Sequence, residues 1–302
     1  MEGEKCVSSK EILDSNPDIR IGTCAWSFED WRGVFYPESH QSNQRLAYYS
    51  RYFRTVEVDS TFYSAPSLQT ARNWLDATPH EFLFSCKLPR EITHVRKLRG
   101  CEQLLEEFLT AIAPLRRKLA CVLIQLPSYF HIRQDELALK EFIFRLPADT
   151  RFAVEFRDIG WHLPRVAHLL EEHQVCWVWN DLTPLERQNE GAFTFLPQTT
   201  DFLYLRLIGD LSTKYRGDGE RKFRYRRLMW PRDASLENWA LKVRQHAGDV
   251  SKVFAYMNNH FEGFAPLTCQ RFGEQIGVPV ELPSREHRSG DKNAGRQLEL
   301  FL

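Results

Sequence analysis

Along this chain, short runs of β-branched and aromatic residues alternate with longer stretches in which apolar side chains recur every three or four positions. The short runs have the length and composition of buried strands, and the longer ones have the period of helices that bury one face. Eight strand runs stand out, at residues 21–27, 55–61, 82–88, 121–126, 152–157, 175–180, 202–207 and 253–258. Helical spacing marks residues 44–53, 68–77, 102–118, 163–173, 235–245 and 267–276. Strand and helix alternate over about 260 residues, which predicts an α/β protein with a parallel sheet closed into a (β/α)8 TIM barrel rather than an open sheet. Residues 183–200, with Pro184, Gly191 and Pro197, break the pattern and read as a loop with at most a short strand. The expected division is an N-terminal arm at 1–19, a barrel domain at 20–282, and a disordered tail at 283–302 too polar to bury a core of its own.

Charged residues inside the apolar runs change the picture. Side chains alternate along a strand, so Glu57, Asp59 and Thr61 are expected on one face, as are Glu155 with Arg157 and Tyr204 with Arg206. Buried acids need partners, and Lys87, Arg157 and Arg206 can supply them. The cluster falls at the C-terminal ends of strands, where barrel enzymes keep their catalytic groups. It reads either as a structural ion-pair network or as a site where Arg and Lys grip a phosphate or carboxylate while an acid of raised pKa moves a proton. His94 and His260 follow the third and eighth strands, with Asn258, Asn259 and Asp181 expected nearby. Together with Glu57 and Glu155 they could ligate zinc or manganese, or serve only as hydrogen-bonding groups. Their spacing forms no metal motif, so a divalent metal is the less favoured reading and the cofactor stays open. Trp26, Trp31, Phe35 and Tyr36 crowd the first strand-to-helix loop, where flat rings either stack on a base or sugar or pack as core.

Composition sets limits. With 40 basic and 40 acidic side chains, any nucleic acid or membrane contact must come from a local patch. One patch spans residues 214–232: eight bases and two acids, with Lys214, Tyr215, Arg216, Arg224 and Tyr225 among the interleaved cations and rings. That mixture suits the phosphates and exposed bases of DNA or RNA, and equally a solvated loop. The first twenty residues are polar, and nowhere do eighteen apolar residues run together, so a cytoplasmic, non-membrane protein is expected. Seven scattered cysteines without a Cys-x-x-Cys pair argue against a disulfide framework or a thiolate zinc site.

Several strand ends carry longer motifs: Ile21-Gly-Thr-Cys-Ala-Trp-Ser27, Trp31-Arg-Gly-Val-Phe-Tyr-Pro37, Thr55-Val-Glu-Val-Asp-Ser-Thr-Phe-Tyr63 and Lys87-Leu-Pro-Arg-Glu-Ile-Thr-His94. Val154-Glu-Phe-Arg157, Tyr204-Leu-Arg206 and Asn258-Asn-His260 with Gly263 complete the set. Over residues 20–277 this pattern resembles the YecE-like family, the domain of unknown function 72. The resemblance implies a β/α barrel and assigns no activity. The chain departs from the pattern at Asp59, where the family usually has Asn, and at Asp158 and Ile208, where it tends to have His. Separately, the terminal Gln297-Leu-Glu-Leu-Phe301 is similar to the peptide by which bacterial DNA-maintenance proteins dock on the β sliding clamp, with Gln297, Leu298, Leu300 and Phe301 on its key positions. Folding back onto the barrel is the alternative.

Three functions stay in view. The first is an enzyme on nucleic acid, a hydrolase of phosphodiester bonds in DNA maintenance. The second is an enzyme on a small phosphorylated or sugar-like metabolite with the basic loop as a lid, and the third is a non-catalytic nucleic-acid-binding adaptor.

Overall fold

The apolar runs fold into eight parallel strands: β1 (Asp18–Thr23), β2 (Thr55–Val58), β3 (Leu83–Lys87), β4 (Leu119–Gln125), β5 (Phe152–Glu155), β6 (Val175–Asn180), β7 (Phe202–Leu207) and β8 (Lys252–Met257). The computed structural model describes residues 17–182, 195–211 and 225–284. Lys214, Tyr215, Arg216, Arg224, most of the predicted loop at 183–200, and the terminal Gln297, Leu298, Leu300 and Phe301 lie outside those residues. Residues 195–200 carry no strand. Helices α1 (Arg45–Tyr49), α2 (Leu68–Asp76), α3 (Glu102–Ile112), α4 (Ile132–Phe144), α5 (Pro164–Glu172), α6 (Asp233–Ala247), α7 (Asn259–Glu262) and α8 (Ala265–Ile276) lie between and after the strands. No described helix is long and apolar enough to cross a membrane.

From β2 to β8 each strand pairs with its sequence neighbour, and β8 also pairs with β1, so β1 and β2 are the two neighbouring strands that share no ladder. Strands covered on both faces need apolar residues at nearly every position, which is why β4 and β7 read as continuous runs. One core layer packs the helices against the outside of the strands; a second, with Cys121, Leu123, Ala153, Val178, Tyr204, Phe254 and Tyr256, fills the barrel. All six described cysteines are free and buried.

At the seam β1 and β2 lie side by side, and the ring is nearly closed. Tyr49 bridges it: its hydroxyl accepts from Thr23 N at 3.0 Å and donates to Thr55 O at 3.1 Å. Gly22 permits the approach, because a Cβ there would overlap the carbonyl oxygen of Thr55 and sit 2.9 Å from its carbon. Gly22→Ala is therefore expected to push β1 from β2 and cost about 1–3 kcal/mol, the usual range for overpacking. A urea midpoint matching that of the unaltered protein would show that the seam gives way freely.

Two expectations need correction. The run at 55–61 leaves the strand after Val58, where Asp59–Phe62 forms a 3-10 turn, so Asp59 and Thr61 do not share a strand face with Glu57. Thr61 drives the turn, its hydroxyl lying 2.7 Å from the carbonyl oxygens of both Val58 and Lys87. Helix α4 is absent from the predicted helices, because exposed Leu137 and Phe144 blur its apolar face.

Candidate functional site

Strands β2, β5 and β7 each place one charged side chain inside the barrel near its C-terminal end: Glu57, Glu155 and Arg206. All three are buried. The Arg206 guanidinium forks onto Glu57, donating from Nη2 to Oε1 at 2.7 Å and from Nε to Oε2 at 2.9 Å, and its Nη1 donates to Glu155 Oε2. Tyr204 adds a hydroxyl donor to Glu57 Oε2 at 2.8 Å, and Arg157 Nε donates to Glu155 Oε1 at 2.8 Å. Every carboxylate oxygen thus accepts at least one hydrogen bond. Burial pushes the Glu155 carboxyl up, but the Arg206 and Arg157 charges outweigh it and hold it at about 2. The expected acid of raised pKa is therefore not Glu155, since two guanidinium groups stabilise its anion.

Above this layer lies a rim that reaches solvent. Lys87 ends β3; its Nζ donates to Asp59 Oδ1 at 3.0 Å and stands 4.1 Å from the centre of the Phe62 ring. Arg157 follows β5 and keeps 21% of its side chain exposed. His94 lies half-buried in the π turn Glu91–Val95, with Nδ1 at 2.8 Å from Thr93 Oγ1. The Thr93 hydroxyl also lies 3.2 Å from Pro89 O; when it donates there, His94 carries its proton on Nδ1 and Nε2 is left as an acceptor. Burial lowers the His94 pKa to about 4, reinforced by the charges of Lys87, Arg157 and Arg90. At neutral pH its imidazole is uncharged.

Other candidates are engaged elsewhere. Asn258 Oδ1 accepts from His260 N at 3.0 Å and caps α7, which gives this side chain a structural task directly after β8. Asn259 Oδ1 accepts from Ala265 N at 2.9 Å. The Asp181 carboxylate is buried against the backbone N–H groups of Ile208 and Gly209, holding the turn after β7. Gly209 needs its positive φ of 77°, and a Cβ there would collide with the backbone of His260 and Phe261. His260 meets the Tyr225 hydroxyl, with Nδ1 at 3.1 Å. These side chains do not converge on a metal with Glu57 and Glu155, whose oxygens face Arg206; among the described residues, no three His, Cys, Asp or Glu side chains form such a group. Of the two residues departing from the family pattern at 158 and 208, Asp158 pairs with His131 and Ile208 is buried in the inner core.

Trp31 and Tyr36 are fully buried and pack together at 6.0 Å between ring centres, so they are core and not a stacking surface. Trp26 is half-buried, edge-on to Trp74 at 5.7 Å. The rings that do line the mouth, Phe62, Tyr63 and Tyr129, were not among the predicted site residues. Phe62 and Tyr63 close the motif at residues 55–63, whereas the signal for Tyr129 is its position shortly after the fourth strand.

Residues 20–290 match the family described as "Protein of unknown function DUF72". The chain is 33% identical to the UPF0759 protein YecE of Escherichia coli (strain K12) over 139 residues, 46% of this chain, and spans about half that relative's length, 48%. It is 27% identical to the UPF0759 protein YunF of Bacillus subtilis (strain 168), covering 94% of this chain and 100% of that one. The crystal structure of a DUF72 family protein from Thermotoga maritima superposes with a TM-score of 0.71 at 29% identity, over 86% of this chain and 99% of that one. One from Enterococcus faecalis shares the fold at a TM-score of 0.68 and 20% identity, over 88% and 98%. With nearly its whole barrel covered by the family match, the chain belongs to the DUF72 family.

Proposed function

We propose that the mouth is the substrate site of an enzyme, in which Lys87 and Arg157 hold a phosphate or carboxylate group while His94 Nε2 handles a proton of the substrate. The supporting observation is geometric: the Phe62 ring lies 4.1 Å from Lys87 Nζ and 4.9 Å from the His94 ring, and the charges of Lys87 and Arg157 both help keep His94 unprotonated. An arriving anion would neutralise both cations and let the His94 pKa rise toward its ordinary value, readying the imidazole for acid–base work only when substrate is present. The buried layer below keeps Arg157 in place through Glu155.

Isothermal titration with inorganic phosphate tests this reading. Arg157→Gln is expected to weaken binding about tenfold or more, the range for a lost charge-assisted hydrogen bond. NMR of the His94 ring should show its pKa moving up on phosphate addition. Equal affinity in both proteins, with a stationary His94 pKa, would remove the proposal.

A second reading places the anion in a nucleic-acid strand, with phosphodiester hydrolysis as the reaction. It is favoured by the described end of the basic segment: Tyr225 N donates to Asp30 Oδ2 at 3.1 Å and Arg226 Nη2 to Arg32 O at 3.0 Å, tying that end beside the β1 loop. Binding to DNA or RNA oligonucleotides should then fall steeply with salt. Docking on a sliding clamp through residues 297–302 is a separate proposal, resting on the tail sequence and tested by deleting those residues.

A further inference from the structure

The loops after β2, β3 and β4, three neighbouring strands, bring four rings into one strip along the mouth. Tyr63 lies 5.4 Å from Phe62, Phe62 lies 4.9 Å from His94, and His94 lies 6.4 Å from Tyr129, centre to centre. Successive rings meet edge to face, at interplanar angles of 80°, 77° and 83°. Tyr63 is 79% exposed and Tyr129 46% exposed, so the ends of the strip belong to the surface. Exposed apolar side chains scattered singly need no explanation, but contiguous rings beside a charged mouth do.

Cations flank the strip. Lys87 stands over Phe62 at 4.1 Å and Lys97 over Tyr129 at 5.2 Å. Lys97 and Leu98 hold left-handed backbone conformations, with φ of 50° and 66°, directly after the π turn that carries His94. Non-glycine residues adopt such angles at a cost, and they persist where the surroundings dictate them. Rings interleaved with Lys and Arg are the arrangement that stacks a base while holding its phosphate. A sugar face would call on acids and amides open to its hydroxyls, whereas the acids beside the flanking cations are engaged, Asp59 with Lys87 and Asp135 with Lys97.

We infer that the substrate carries a nucleobase attached to its phosphate, the base stacking on the Tyr63 to Tyr129 strip while the phosphate meets Lys87 and Arg157. The inference rests on the anion reading of the same site. The chemistry is shared by a free nucleotide and by an unpaired nucleotide in a strand.

Titrations with AMP, ribose 5-phosphate, adenosine and inorganic phosphate test it on the full chain. AMP is expected to bind at least about tenfold more tightly than ribose 5-phosphate, within the range of base–aromatic stacking. Tyr63→Ala and Tyr129→Ala should erase that advantage without changing phosphate affinity, and Tyr63→Phe should keep it. Because both tyrosines are exposed, the alanine variants are expected to fold normally, which circular dichroism checks. AMP and ribose 5-phosphate binding equally, or an advantage untouched by either alanine variant, would overturn the inference. Should adenosine bind in a Tyr63-dependent way while phosphate does not bind, the strip stands and the anion reading falls; should neither bind, both fall. A tetranucleotide that outcompetes AMP identifies the source as a strand, and one that does not identifies it as the free nucleotide.

Discussion

Arg206→Ala is expected to lower the unfolding free energy by about 3–5 kcal/mol, the range for breaking a buried ion pair and leaving its partner uncompensated. The reason is geometric. One guanidinium satisfies Glu57 through two hydrogen bonds and reaches Glu155 with its remaining nitrogen, and both acids have no exposure to water. Without it Glu57 keeps the Tyr204 hydroxyl as a donor and Glu155 keeps Arg157, and neither regains the lost charge of the fork. Arg206→Lys should rescue little, since an ammonium cannot reproduce the fork. Adding Glu57→Gln to Arg206→Ala should recover part of the loss, because an amide is cheaper to bury than a carboxylate. Urea denaturation reads all three, and a loss below about 1 kcal/mol for Arg206→Ala would show that the layer is not structural.

Acid should unfold the protein in two stages. His94 and His162 have folded pKa values of about 4 against an ordinary 6.5, His94 through burial and neighbouring cations and His162 through burial. Between those values the unfolded chain binds protons that the folded chain refuses, so stability falls as pH drops from 6.5 to 4. Both imidazoles are half-buried, so solvent screening makes each share smaller than the full shift would imply. Glu155 acts lower down. Its pKa of about 2 lies below the ordinary 4.5, so its contribution is fully present above 4.5 and is lost as pH falls toward 2. At 1.36 kcal/mol per unit, that second stage amounts to about 3 kcal/mol. Thermal unfolding followed against pH should show both slopes, with His94→Gln flattening the upper one and Glu155→Gln removing the lower one at a cost in stability near neutrality. Identical profiles for the three proteins would contradict both assignments.

How much of this was written in the chain depends on what each pattern reports. Residues 175–180 and 202–207 were legible to the residue, because strands covered on both faces leave unbroken apolar runs with abrupt ends. The second strand was overrun, because alternation continues past Val58 although Thr61 folds the backbone into a turn. Acids among apolar neighbours marked the charged layer, yet strand spacing says nothing of depth: Glu57 and Arg206 are sealed inside, whereas Lys87 and Arg157 lie toward the mouth and Arg157 reaches water. Ring density misled for a related reason. The dense group at Trp31, Phe35 and Tyr36 is dense because it is core, and the exposed rings come from two loops distant in sequence that the pairing of β2, β3 and β4 brings together.

Arg206 sits like a hub with spokes to β2 and β5, elements on different parts of the barrel's circumference. Widening the cross-section at that height means separating opposite charges in a place where water cannot replace them. The floor beneath the mouth is thereby stiff, and the overhanging loops can change shape while the platform that aims Arg157 stays put.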